Sequence, residues 1–90
     1  MGSGMDYIYL DGDQKILIEV CQKDTRRDVV AQYVRSRKEK GITQAELARR
    51  AGIPRTNITR FESGDYNPSL EMMVRIAAAL GMKLQVALVE

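Results

Sequence analysis

The segment Thr43–Gly64, TQAELARRAGIPRTNITRFESG, constrains this chain more than any other. It spells two short helices joined by a tight turn. Thr43 offers the oxygen of an N-cap, and Glu46 three residues on gives the form of a capping box. From Gln44 to Ala51 the apolar positions Leu47, Ala48 and Ala51 recur at helical spacing. Gly52 stands where a helix end needs positive φ, and Ile53 behind it is an apolar plug. Pro54 suits the cap or first position of a second helix, about Arg55 to Ser63. That helix buries Ile58 and Phe61. Its outward residues are then Arg55, Thr56, Asn57, Thr59 and Arg60.

The formal net charge of +2 hides a strong asymmetry. Residues 1–25 set Lys15 and Lys23 against Asp6, Asp11, Asp13, Glu19 and Asp24, for a net −3. Residues 26–60 hold ten Lys/Arg against Asp28, Glu39 and Glu46, for a net +7. Residues 61–90 return to −2. The basic block coincides with the paired helices. Guanidinium, amide and hydroxyl groups on the second of them are the groups that match base edges and reach phosphates. Basic charge placed on such a head is the electrostatic footprint of nucleic-acid binding. Arg49 and Arg50 either add long-range attraction or are simply solvated.

Other functions find little support. There is no histidine, no paired-carboxylate constellation and no glycine-rich phosphate loop, so an enzyme is not expected. Cys21 is the one cysteine, which leaves no zinc set and no internal disulfide. No metal or cofactor is expected. A single cysteine fits a reducing cytoplasm, and its place after Val20 in an apolar run predicts buried packing. No apolar run approaches the roughly 20 residues of a membrane span. Ninety residues make one domain, with a core small enough for oligomerisation to help. Residues 1–4 read as a cloning remnant rather than part of the fold.

Taken in order, residues 5–24 form a β-rich arm. Tyr7 to Leu10 and Ile16 to Val20 are β-formers on either side of the turn signal Asp11-Gly12-Asp13, which predicts a hairpin. Thr25-Arg26-Arg27-Asp28 is a second capping pattern and puts the start of a first helix near Arg26. Val29, Val30, Tyr33 and Val34 are its apolar stripe, with Arg37 on the same side. Gly41 ends it and Ile42 plugs the core. Ser69 caps a last helix whose core face is Leu70, Met73, Val74, Ala77 and Leu80. After Gly81 the pattern changes to period 2, with Leu84, Val86 and Leu88 on one face of a strand. A lone terminal strand must find a partner for its edge. The candidates are residues 7–10 or 16–20 of the same chain, or the same strand of a second subunit in an isologous pair. The expected architecture is mainly α. A four-helix domain spans 25–81, flanked by the arm at 5–24 and a dimerisation strand at 82–90.

Thr43-Gln44-x-x-Leu47-Ala48-x-x-x-Gly52-Ile53, followed by Ile58-x-x-x-Glu62-x-Gly64, resembles the phage-repressor and Cro-type (XRE) helix-turn-helix family. The likeness continues through Asn67-Pro68-Ser69-Leu70 and covers about residues 26–81. It implies a repressor-like fold and a sequence-specific, double-stranded DNA-binding repressor that acts as a homodimer on a palindromic operator. The helix from Arg55 would enter the major groove, with Arg55, Thr56, Asn57, Thr59 and Arg60 at base edges. Gln44 would meet a phosphate at the N-terminus of the preceding helix, and Tyr66 and Asn67 would approach the backbone from the following loop. In proteins of this kind an arginine seven residues before that glutamine pairs with a glutamate near the end of the reading helix. The matching residues are Arg37 and Glu62, a structural ion pair. The terminal strand departs from the fifth helix of many phage repressors. A last helix followed by a strand is similar to HigA- and HipB-like antitoxins instead. That likeness implies an alternative, an antitoxin that neutralises a toxin protein and represses its own operon.

Overall fold

The computed structural model describes residues 7–10 and 14–90, with side chains from Val20 onward. Strands β1 (Tyr7–Leu10) and β2 (Gln14–Leu17) pair antiparallel, with Tyr7 opposite Leu17 and Leu10 opposite Gln14. The expected turn at Asp11-Gly12-Asp13 and the remnant expected at residues 1–4 lie outside the described residues. Four helices follow: α1 (Ile18–Glu39), α2 (Gln44–Ala51), α3 (Arg55–Ser63) and α4 (Leu70–Ala79).

Two glycine-isoleucine pairs set the bends between the first three helices. Gly41 and Gly52 take φ of 67° and 70°, in the left-handed region where a Cβ is unfavourable. The next amide then turns back, Ile42 N–H donating to the Arg37 carbonyl and Ile53 N–H to that of Ala48, both at 3.1 Å. This is the Schellman arrangement, and it drives the isoleucine side chain inward against the helix it closes. Ile42 is buried and Ile53 packs at the edge of the same core.

The core gathers Val30 and Tyr33 from α1, Ile42 from the turn after it, Leu47 and Ala48 from α2, Ile58 and Phe61 from α3, and Ile76, Ala77 and Leu80 at the end of the fold. Phe61, Leu47, Ile58 and Ile76 are its largest fully enclosed side chains. Tyr33 stands edge-on to Phe61, ring centroids 5.0 Å apart and planes at 81°, the geometry aromatic quadrupoles favour. Its hydroxyl donates to the Met73 carbonyl at 2.9 Å, so the buried oxygen is satisfied. Burial also raises the Tyr33 pKa, because a phenolate there would lose its water.

Three expectations are corrected. First, α1 begins at Ile18 instead of near Arg26, so Ile18–Asp24 are helical and the β-rich arm does not reach residue 24. A capping pattern starts a helix only where the preceding residues leave helical geometry. Here they stay in it, and Asp24 pairs with Arg27 one turn on, at 3.6 Å. Second, Cys21 is exposed, because no described element covers its face of that extension. Third, Leu70 and Val74 of α4 are 59% and 50% exposed, while Ile76 is fully buried. Nearly every face of α4 is apolar, so period alone does not choose its register; Glu71 and Arg75 mark the outward side. The expected terminal strand is not formed within the single chain: Met82–Glu90 carry no regular secondary structure and pair with no other described segment. A strand exists only as part of a ladder, and within this chain none adjoins it. Leu84 rests on the core, but Val86, Leu88 and Val89 are 74%, 101% and 90% exposed.

Candidate nucleic-acid interface

α2 and α3 build the outward surface. Thr43 caps α2 by accepting from Glu46 N–H at 3.0 Å. The reciprocal half of the capping box does not form, because the Glu46 carboxylate is taken by Arg49 and Arg50, the latter at 2.8 Å. Those hydrogen bonds, with the charges behind them, hold the Glu46 pKa at about 2, against an ordinary 4.5. The contribution of this cluster to stability is present above pH 4.5 and is lost as pH falls toward 2. The cluster is solvent-exposed, so the effect on folding is small. An NMR titration of the Glu46 carboxyl carbon is expected to give a midpoint near 2; a midpoint near 4.5 would mean the two arginines do not hold it. At neutral pH one carboxylate thus shares two of the block's guanidinium charges.

α3 is different. Pro54 precedes it in extended geometry and supplies no side-chain cap. Arg55, Thr56, Thr59 and Arg60 are exposed and Asn57 is half-buried. Among the described residues neither Arg55 nor Arg60 has a carboxylate partner. The Arg60 guanidinium lies 5.5 Å from the centroid of the Tyr66 ring. That cation–π contact positions a long side chain without neutralising it.

Behind α3 lies a charged buttress. Arg37 Nε donates to Glu62 Oε2 at 2.7 Å and its Nη2 to Oε1 at 3.0 Å, a two-pronged pair with side chains only 11% and 8% exposed. Arg37 Nη1 donates to the Ile42 carbonyl at 2.8 Å. Gln44 Nε2 donates to Glu62 Oε1 at 2.9 Å, and Thr59 Oγ1 lies 3.2 Å from Gln44 Oε1. Gln44 is therefore held by the protein as well as placed at the head of α2.

The loop after α3 is fastened to α1. Arg26 Nε donates to the Gly64 carbonyl at 2.6 Å. Its Nη1, and Gln22 Nε2 at 2.7 Å, both donate to Asn67 Oδ1. The oxygen of Asn67 is thus occupied, and its Nδ2 is the end left for a further partner. Sequence reasoning missed Arg26 and Gln22 in this role. No local spacing signals it, since the partners lie 38 to 45 residues apart.

A buttressed, cationic helix set behind a Gly-Ile turn defines a helix-turn-helix DNA-binding module. Residues 35–86 match the family model described as Helix-turn-helix, and the chain belongs to that family, among transcription regulators of the phage-repressor (XRE) type. It is 56% identical over 45 residues to an HTH-type transcriptional regulator of Methanothermobacter thermautotrophicus, covering 50% of this chain and 65% of that protein. It is 40% identical over 48 residues to an immunity repressor protein of Bacillus phage phi105, covering 53% of this chain and 33% of that one. Among solved structures, a toxin–antitoxin module from Streptococcus pneumoniae superposes with a TM-score of 0.65 at 32% identity, over 80% of this chain and 79% of that one. The chain thus spans just under two thirds of the first relative and one third of the phage repressor. Among the described residues no helix is long and apolar enough to cross a membrane.

Proposed function

We propose that the protein is a sequence-specific repressor that binds double-stranded DNA as a homodimer on a palindromic operator. The observation that carries this reading is the contrast between α2 and α3. Arg49 and Arg50 are tied to Glu46, whereas Arg55 and Arg60 stand exposed on one helix with no described carboxylate beside them. In this reading α3 lies in the major groove, and Arg55, Thr56, Asn57, Thr59 and Arg60 meet base edges. Gln44, with backbone N–H groups of α2, meets a phosphate through the Nε2 proton that Glu62 does not take. The Tyr66 hydroxyl and Asn67 Nδ2 meet the next one.

The dimer is assigned to residues 82–90. The alternation of Leu84, Val86 and Leu88, and the exposure of Val86 and Leu88 in a single chain, support antiparallel pairing with a second copy. The chain then divides at Gly81 into a reading head and a pairing strand. A two-fold axis through the paired strands would set two α3 helices about 34 Å apart, one turn of DNA. Selection from a random duplex pool tests this directly, and a palindrome is the expected product. On the selected site Arg55→Ala and Arg60→Ala are each expected to cost about 1–3 kcal/mol. Gln44→Ala should weaken specific and random DNA alike. Arginine variants with unchanged specificity would remove these residues from the base contacts.

The antitoxin alternative is favoured by one observation, the likeness to a toxin–antitoxin module over most of both chains. Exposed Leu70 and Val74 on α4 offer an apolar surface for such a partner. Recovery of a small basic protein bound to this chain, with DNA binding retained, would establish both roles together.

A further inference from the structure

Thr59 stands on the exposed face of α3, and its hydroxyl has two polar neighbours. Gln44 Oε1 and the Arg55 carbonyl oxygen both lie at 3.2 Å. The identity of the Gln44 atom follows from its other contact. Ionised Glu62 can only accept, so the amide end 2.9 Å from its Oε1 is the nitrogen. The end turned to Thr59 is therefore the oxygen. Glu62 is itself unable to swing away, because Arg37 grips both of its oxygens. Orientation thus passes from α1 through Glu62 and Gln44 to the surface of α3. A hydroxyl owns one proton. Set between two acceptors, it keeps that proton inside the protein and turns its lone pairs outward.

We infer that Thr59 reads DNA as an acceptor: it recognises an exocyclic amino group in the major groove, adenine N6 or cytosine N4, and not a guanine or thymine oxygen. The inference rests on the reading of α3 as the DNA-reading helix and adds a polarity to it. Arg55 and Arg60 on the same helix can only donate, and suit guanine N7 and O6. Thr59 supplies the complementary group. To donate to a base oxygen instead, its hydroxyl would have to abandon both protein acceptors.

Functional-group deletion in the DNA tests this. In a site selected by the wild-type protein, purine replaces adenine, or pyrimidin-2-one replaces cytosine, one base at a time. Wild type and Thr59→Ser are expected to lose about 3- to 10-fold in affinity at one position per half-site, the worth of a single hydrogen bond. Thr59→Val keeps the shape but not the acceptor. It should bind the unmodified site more weakly by that factor and lose nothing further at that position. Equal sensitivity of wild type and Thr59→Val to every amino deletion overturns the inference. So does coupling of Thr59 to an acceptor deletion such as 7-deazapurine. If no sequence is enriched in the selection, the reading of α3 itself fails and takes this inference with it. Enrichment without Thr59 coupling sinks only the latter.

Discussion

Glu62→Ala is expected to destabilise the protein by about 3–5 kcal/mol, because it strands a buried guanidinium. Arg37 and Glu62 are joined by two hydrogen bonds, and both side chains are almost wholly withdrawn from water. With Glu62 gone, Arg37 Nε and Nη2 lose their acceptor and only Nη1 keeps one, the Ile42 carbonyl. Domains of this size have total stabilities of only about 5–15 kcal/mol, so the variant should lie close to unfolding at room temperature. The double variant Arg37→Ala/Glu62→Ala should be milder than the sum of Arg37→Ala and Glu62→Ala, since it leaves no unpaired charge. Urea denaturation of all four proteins closes the cycle. Additive single effects would show that the pair does not interact. A second consequence reaches the outward surface of α2 and α3. Glu62 also accepts from Gln44, so its loss should loosen the glutamine that lies beside Thr59.

If residues 82–90 pair two copies as proposed, truncation after Gln85 is expected to leave a folded monomer. It should also lower affinity for a palindrome by about 10²–10⁴-fold, the gain that linked half-sites give over separate ones. The cut is chosen from the structure. Residues 86–90 are all exposed, whereas Leu84 packs on the core and Met82 N–H closes α4 by donating to the Ala77 carbonyl at 2.9 Å. The deletion therefore removes pairing surface without opening the core. Sedimentation measures the mass, thermal melting tests the fold, and titration with palindromic and half-site duplexes gives the affinity. A truncated protein that remains a dimer with full palindrome affinity would move the interface elsewhere, with the exposed Leu70 and Val74 of α4 next to be examined.

Much of the reading head was legible because its signals are local. Thr43, the Gly52-Ile53 pair and Pro54 act on the backbone within a turn or two of themselves. The boundaries they predict agree with α2 and α3. Leu47, Ala48, Ala51, Ile58 and Phe61 were readable as core because, between polar neighbours, only one face of each short helix was apolar. The Arg37–Glu62 match came from likeness to a family and not from spacing alone. Local signals failed where two answers were locally equivalent. The pattern Thr25-Arg26-Arg27-Asp28 can cap a helix or lie inside one, and the residues before it decide. α4 is apolar on nearly all sides, so its register was set by packing against α2, which brought Ile76 inward and left Leu70 and Val74 outside.

Contacts between distant residues were beyond any sequence window. Arg26 and Gln22 fasten the loop at Asn67, and Gln44 lies between Glu62 and Thr59, only because α1 and α2 come to rest beside α3. By itself the sequence determined the ends of α2 and α3, the turn between them and the apolar faces of these short amphipathic helices, since these depend on steric and hydrogen-bonding preferences within a few residues. The tertiary structure decided which of several apolar faces was buried, which charges were paired and which way a hydroxyl proton points. Those outcomes depend on which acceptors and apolar surfaces meet once the chain has folded.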